Sequence, residues 1–281
     1  MDKRGLYIAE LQKAAREGYA VGAFNILNFN TASAAIAAAE EAGAPIILQT
    51  SVKTVQKLGV RELGKMLRML ADMAGVNVFF HLDHCASVEL AKQCIDSGWD
   101  SVMIDNSKLS LEENIRITNV IMEYARAANV AVEGELGVIA GVEDDISADE
   151  GRQANLKDSL QYIRATNVDT FAPSIGTAHG IYKKTPKINA GLISELKSSV
   201  QCPLVIHGGS GLSDDTFRAL IQKGASKINI STAIKNAYLG GIREYFQNAA
   251  QPESLELDAF VFDNVKETVK KHIGIFRGQK R

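Results

Sequence analysis

Short apolar runs rich in valine and isoleucine recur along this chain at intervals of roughly thirty residues. They fall at 19–25, 45–51, 76–84, 101–105, 130–137, 170–176, 203–210 and 227–231. Runs such as NVFFHL and PLVIH are almost continuously apolar. An antiparallel strand with one wet face alternates instead, so this pattern predicts parallel strands covered on both faces. Segments of helical period lie between them, among them TASAAIAAAEEAGA, VRELGKMLRMLADMAG and LEENIRITNVIMEYARAAN. Several begin after Ser, Thr or Asp and end at Gly, where helix caps belong. Eight βα units in succession predict an α/β fold, a single (β/α)8 TIM barrel. A doubly wound open sheet accounts for less. It leaves two or three strands surplus and calls for a G-x-G-x-x-G fingerprint that the chain lacks. With no linker or change of composition, one barrel domain is expected over about 1–235, followed by a helical extension over 236–281.

The charge balance narrows the partners. With 31 basic and 33 acidic residues the net charge is −2, which offers no basic footprint for nucleic acid or an anionic membrane. No apolar window is long enough to span a bilayer, and the N-terminal MDKRGLYIAELQKAAREG is charged and amphipathic rather than a signal peptide. Cys85, Cys94 and Cys202 have no C-x-x-C spacing and read as reduced thiols. A cytoplasmic location follows as the expectation.

In a barrel of this kind the chemistry belongs at the C-terminal ends of the strands. Asn25, Ser51, Asp83 with His84, Asp105, Glu133 with Glu135, His179, His207 and Asn229 with Ser231 and Thr232 all fall there. Any one of them reads equally well as the polar start of a loop. All eight ends together point to one mouth. Three of the five histidines (His84, His179 and His207) end or follow strands three, six and seven. Alone, each reads as a hydrogen-bonded core or loop histidine. As a trio they match a catalytic zinc site with an open fourth position. His81 shares a strand face with Asp83 and reads as a packing or supporting residue, and His272 reads as a surface residue.

The glycine loop Gly208-Gly209-Ser210-Gly211 and the turn Gly176 to Gly180 offer bare backbone N–H groups that suit a phosphate, with Lys183 as a nearby cation. The stretch from Glu133 to Asp145 is expected to run from a strand into a long polar loop. Glu143 there reads either as a base brought in by a closing loop or as part of a solvated acidic turn.

These motifs in this order (YAVGAFNI, HLDH, SVMID, GELG, IGTAHGIYK, LVIHGGSGL and KINISTAIKNAY) resemble the metal-dependent class II ketose-bisphosphate aldolases. The tagatose-1,6-bisphosphate branch is the nearest in pattern. The resemblance implies zinc on His84, His179 and His207, with Glu135 as a neighbouring acidic ligand in some states. It implies Asp83 as the acid/base at the acceptor-derived hydroxyl and Glu143 as the loop carboxylate that moves the donor-carbon proton. It sets Gly180, Lys183, Gly208, Ser210, Asn229 and Thr232 around dihydroxyacetone phosphate, and Asn25 and Ser51 among the polar groups of the site. A monovalent cation (Na+ or K+) near the phosphate loops and a homodimer or homotetramer are further expectations. Ser231 and Lys235 stand where fructose-bisphosphate members carry Asp and often Arg, which favours the tagatose branch. The usual D-P-R-x-Y-L-like segment is replaced by LELDAFVFDN, and Ala140, Asn106 and Cys85 also depart from the pattern. A sulfonated or deoxy acceptor, as in 6-deoxy-6-sulfofructose 1-phosphate, is therefore an alternative. A non-catalytic sugar-phosphate sensor would have lost Asp83, a histidine or the loop carboxylate. A metal-dependent hydrolase has no use for the glycine–serine phosphate loop.

Overall fold

The computed structural model describes residues 2–143, 146–148, 151–180 and 186–278. In chain order its strands are β1 (Val21–Asn25), β2 (Ile46–Ser51), β3 (Val78–Cys85), β4 (Ser101–Ile104), β5 (Ala131–Leu136), β6 (Ala140–Glu143), β7 (Ile146–Ala148), β8 (Thr170–Pro173), β9 (Ala178–His179), β10 (Leu204–Ile206) and β11 (Ala225–Ile230). Eight of them close into a parallel barrel in the order β1-β11-β10-β8-β5-β4-β3-β2. Each apolar run of the sequence overlaps one barrel strand. The runs at 170 and 203 leave the ladder early, at Pro173 and Ile206. Gly176, Gly208 and Gly211 follow with positive φ (93°, 68° and 97°), a backbone that turns the chain out of a strand. Residues of β3 are buried at all eight positions, as parallel strands between a filled barrel and a helical layer must be.

The floor of the barrel is sealed by the helix Lys3–Glu17, capped by Asp2 and ended by the left-handed Gly18. Its Tyr7, Leu11 and Ala14 pack against Val21, Ala23, Ile47, Phe79 and Ala131 at the strand beginnings. The Tyr7 ring meets Phe79 edge-on at 5.3 Å. Arg4 donates two hydrogen bonds to Asp169 at 3.2 and 2.6 Å, which ties the helix to the strand rim.

The C-terminal helix Ser254–Phe276 lies against the helix Phe29–Glu41 and turns Val261, Val265, Val269 and Ile273 inward. Its His272 is not the surface residue that its lysine neighbours suggest. The ring packs among Phe24, Phe217 and Phe276 at 5.9–6.3 Å, and Nδ1 donates to the Thr268 carbonyl. Helical spacing from Val265, Val269 and Phe276 carries this position to the apolar face, and burial lowers the pKa of the ring. Among the described residues no helix is long and apolar enough to cross a membrane.

The stretch after β5 is more ordered than the long polar loop expected from sequence. β6 and β7 pair as an antiparallel hairpin, and β6 also pairs in parallel with β9 (Gly141 opposite His179). Gly141 permits this because its φ is +100° and any Cβ would collide with the His179 backbone.

Replacing Tyr7 by Ala removes a fully buried ring from the barrel floor and should cost about 3–5 kcal/mol. The midpoint of urea unfolding measures that loss; an unchanged midpoint would contradict the sealing role.

Candidate active site

Adjacent side chains of a strand point to opposite faces, yet Asp83 and His84 both reach the barrel mouth. His84 adopts a left-handed backbone (φ 47°), and the register of β3 with β4 shifts between Leu82 and Cys85. A residue that is not glycine seldom holds this conformation, which concentrates at sites where a side chain must be re-aimed. Here it turns His84 toward His207.

Each of those imidazoles is fixed by a carboxylate. His84 Nδ1 lies 2.8 Å from Asp105 Oδ2, and His207 Nε2 lies 2.9 Å from Glu133 Oε1. Ionised carboxylates only accept, so these two ring nitrogens carry the protons. The remaining nitrogens, His84 Nε2 and His207 Nδ1, then present lone pairs to one another across 2.8 Å. Two lone pairs at that separation repel unless a cation sits between them, either a proton or a metal ion. Burial opposes a charge on His84, but Asp83, the hydrogen bond to Asp105 and Glu135 outweigh it and raise its pKa well above the ordinary value. Burial and the charge on His84 lower that of His207. In the metal-free chain, His84 therefore holds the shared proton.

His179 arrives from β9 and its ring stands edge-on to His84 with centroids 4.9 Å apart. Glu135 is buried 3.9 Å from His84 Nδ1, and its Oε2 accepts no hydrogen bond among the described residues. Burial and the nearby Asp105 raise the Glu135 pKa well above the usual carboxylate range. Asp105 is half-buried, yet its bond to His84 holds its carboxyl well below that range. Two sets of three donors converge, Asp83–His84–His207 and His84–Asp105–Glu135, and within each the ligand atoms lie within 4.8 Å of one another. Imidazoles pinned by carboxylates, with a buried carboxylate oxygen left over, fit a divalent ion bound through nitrogen and oxygen.

Beneath the histidines lies a sealed polar layer. Glu133 Oε2 accepts from Lys227 Nζ at 2.8 Å and from Thr170 Oγ1 at 3.0 Å, and both charged side chains are fully buried. Burial pushes the Glu133 pKa up, but Lys227, His81 and His207 more than reverse this. His81 Nδ1 meets Ser101 Oγ at 2.9 Å, and burial with the Lys227 charge keeps the ring neutral. His81 is thus the supporting residue that the strand alternation suggested. Lys227 escaped the sequence reading although a lysine inside a buried strand is its own signal. Asp83 accepts from Asn25 Nδ2 at 2.9 Å and from Asn229 Nδ2 at 3.3 Å, while Gln49, also missed, donates to Asn25 Oδ1 at 2.9 Å.

Next to His179, a cleft is lined by Gly180, Gly208, Ser210, Asn229, Ser231 and Thr232. It opens at the start of the helix Thr232–Asn248, where the Ala233 N–H donates to Ser210 Oγ. Ser231 Oγ and Asn229 Oδ1 are buried there without a hydrogen-bond partner among the described residues. Gly208 (φ +68°) has no space for a Cβ, which would come within 2.6 Å of the Ala178 carbonyl oxygen. A helix N-terminus beside the unpaired Ser231 hydroxyl suits an anion. Ser51 stands on the rim, where it accepts from Thr54 N to cap the helix Val52–Leu58. Lys235 sits one helical turn beyond Ser231. The backbone of Glu143 closes β6; its side chain, like all of Lys183, lies outside the described residues.

The sequence model of the family described as fructose-bisphosphate aldolase class-II matches residues 7–281. The chain belongs to that family. It is an aldolase, a carbon–carbon lyase. A fructose-bisphosphate aldolase of Geobacillus stearothermophilus is 39% identical over 237 residues, 83% of each chain. A sulfofructosephosphate aldolase of Alkalicoccus urumqiensis is 37% identical over 240 residues, 85% of this chain and 84% of that one. The crystal structure of the YdjI aldolase from Escherichia coli K12 superposes with a TM-score of 0.86 at 29% identity and covers 96% of both chains.

Glu133→Gln should lower metal affinity about 10–100-fold by releasing His207, as read by competition with a chromophoric chelator. Lys227→Met leaves a buried carboxylate uncompensated and should cost roughly 3–5 kcal/mol of stability. Because His84 is protonated in the metal-free aldolase, metal uptake at neutral pH should release a proton, and affinity should rise with pH up to the raised His84 value. Calorimetry in buffers of different ionisation enthalpy checks this; no proton release would contradict the shared-proton arrangement.

Proposed function

We propose that this aldolase reversibly cleaves a phosphorylated ketose, of the tagatose- or fructose-1,6-bisphosphate kind, to dihydroxyacetone phosphate and an aldehyde. The resident metal in this reading is zinc. The carrying observation is the pair of imidazole nitrogens facing each other at 2.8 Å with a doubly bonded Asp83 beside them. Zinc suits a nitrogen-rich set of this kind, and the ion, when bound, supplies the Lewis acid that polarises the ketose carbonyl.

The remaining work falls to side chains. Asp83 Oδ1 lies 4.0 Å from His207 Nδ1, and Asn25 and Asn229 hold the carboxylate in place. In the cleavage direction it takes the proton of the hydroxyl on C4. The C3–C4 bond then breaks, its electron pair stays on C3, and C4 becomes the aldehyde carbonyl. A proton delivered to C3 completes dihydroxyacetone phosphate. We assign that delivery to Glu143 on the β6–β7 hairpin, whose strand β6 pairs with β9 beside His179. The Gly208–Ser210 and Asn229–Thr232 cleft takes the C1 phosphate and its neighbouring hydroxyl, with Lys183 as the cation of that end.

The reading requires no covalent lysine. Lys227 is the lysine within the barrel, and it is fully buried in its ion pair with Glu133. Borohydride added with substrate should therefore trap no adduct. Chelation should abolish dihydroxyacetone phosphate release and zinc should restore it. Asp83→Asn should lower kcat by about 10²–10⁴-fold. Fructose bisphosphate, tagatose bisphosphate and sulfofructose 1-phosphate, assayed side by side with zinc, identify the ketose. Full turnover in rigorously metal-free protein would overturn the mechanism.

A further inference from the structure

A second cleft, of about 570 Å³, opens at the barrel mouth with His84 at one end. It lies between the segments that follow β2 and β3, whereas the glycine-lined cleft follows β10 and β11. In the barrel order β10-β11-β1-β2-β3, the two clefts are separated by β1, whose Asn25 holds Asp83. A ketose with its phosphate among Gly208, Ser210 and Ser231 must pass the histidines and Asp83 at the bond to be broken. Its departing half then points toward β2 and β3. This placement rests on the aldolase reading given above.

The walls of this second cleft are apolar, formed by Val52, Val55, Val60 and Leu90, with Gln56 and Gln93 on the rim. No Lys, Arg, Asp or Glu lines it among the described residues. Three helices start beside it. Ser51 caps the first, and Ser87 caps the third, whose first turn carries Glu89. The second, Val60–Met73, starts at Gly59 without a side-chain cap, but Glu62 in its first turn repels an anion, as Glu89 does. A phosphate, sulfonate or carboxylate moved here would lose its hydration with no charge to pair with. Neutral hydroxyl or alkyl groups would meet apolar walls and two amides. The volume is in the range of pockets that hold whole small molecules, so a chain longer than three carbons fits.

We propose that the acceptor half of the substrate is an uncharged aldehyde, without a terminal phosphate, sulfonate or carboxylate, whose chain occupies the cleft between β2 and β3. This narrows the ketose of the proposed function to one phosphorylated at C1 only and sets aside its 1,6-bisphosphate form, whose second phosphate is unfavourable there.

The test uses the zinc-loaded enzyme in the addition direction with dihydroxyacetone phosphate. Matched aldehydes that differ only in the phosphate are compared: glyceraldehyde with glyceraldehyde 3-phosphate, and erythrose with erythrose 4-phosphate. The neutral member of each pair should have the higher kcat/KM, by about tenfold or more. Preference for the phosphorylated members overturns the inference. Gln56→Arg adds a cation at the exposed rim and should shift the ratio toward the phosphorylated aldehyde by about tenfold; no shift means that the acceptor lies elsewhere. Deuterium exchange at C3 of dihydroxyacetone phosphate, measured without any aldehyde, separates the two levels. Absence of exchange defeats the aldolase reading itself. Exchange by the wild-type enzyme, combined with its preference for phosphorylated aldehydes, defeats only the acceptor assignment.

Discussion

A carboxylate sealed from water survives only if its charge and its lone pairs are answered from inside, and Glu133 is answered on every side. Lys227 neutralises it, Thr170 donates to it, and His207 spends one ring N–H on it. Removing any of these partners leaves a desolvated charge, so the four side chains behave as one unit. The unit dictates which nitrogen of His207 faces the mouth, and that choice decides what His84 must share with it. In the proposed metal site, the donors would thus be aimed from one layer below the ion.

Barrel geometry stacks these layers. Inward positions recur every second residue along a strand, so β3 supplies His81 and then Asp83, β5 supplies Glu133 and then Glu135, and β11 supplies Lys227 and then Asn229. The lower residues of each pair build the ion-pair layer and the upper ones build the rim of the site. His84 is the exception to the period. Its left-handed backbone turns to the mouth an imidazole that a regular strand would have turned outward to the helices. Strain at that one residue, held by the bond to Asp105, is the local cost of bringing a carboxylate and an imidazole together from consecutive positions.

Much of this was legible in the sequence for physical reasons. Parallel strands buried on both faces must be written as continuous apolar runs, so all eight barrel strands were visible, and the polar residues that interrupt such runs marked the mouth. What periodicity hid is equally specific. Alternation sets Asp83 and His84 on opposite faces; the motif pattern placed both at the mouth, and only the backbone shows how both reach it. Lys227 stands out as a lysine inside a buried strand, but its partner Glu133, 94 positions away, is visible only in the fold. His272 sits among lysines in the sequence but among phenylalanines in the fold. The hairpin after β5 depends on Gly141 approaching the backbone of His179, a contact between distant segments that local composition does not encode.

The central claim is that His84 Nε2 and His207 Nδ1, aimed at one another by Asp105 and Glu133, share a metal ion with His179. Anomalous diffraction from zinc-loaded crystals, recorded on both sides of the zinc absorption edge, tests it most directly. The account predicts a peak bonded to these three histidines that vanishes below the edge. A peak that avoids His207, or no peak in protein shown to contain stoichiometric zinc, would contradict it.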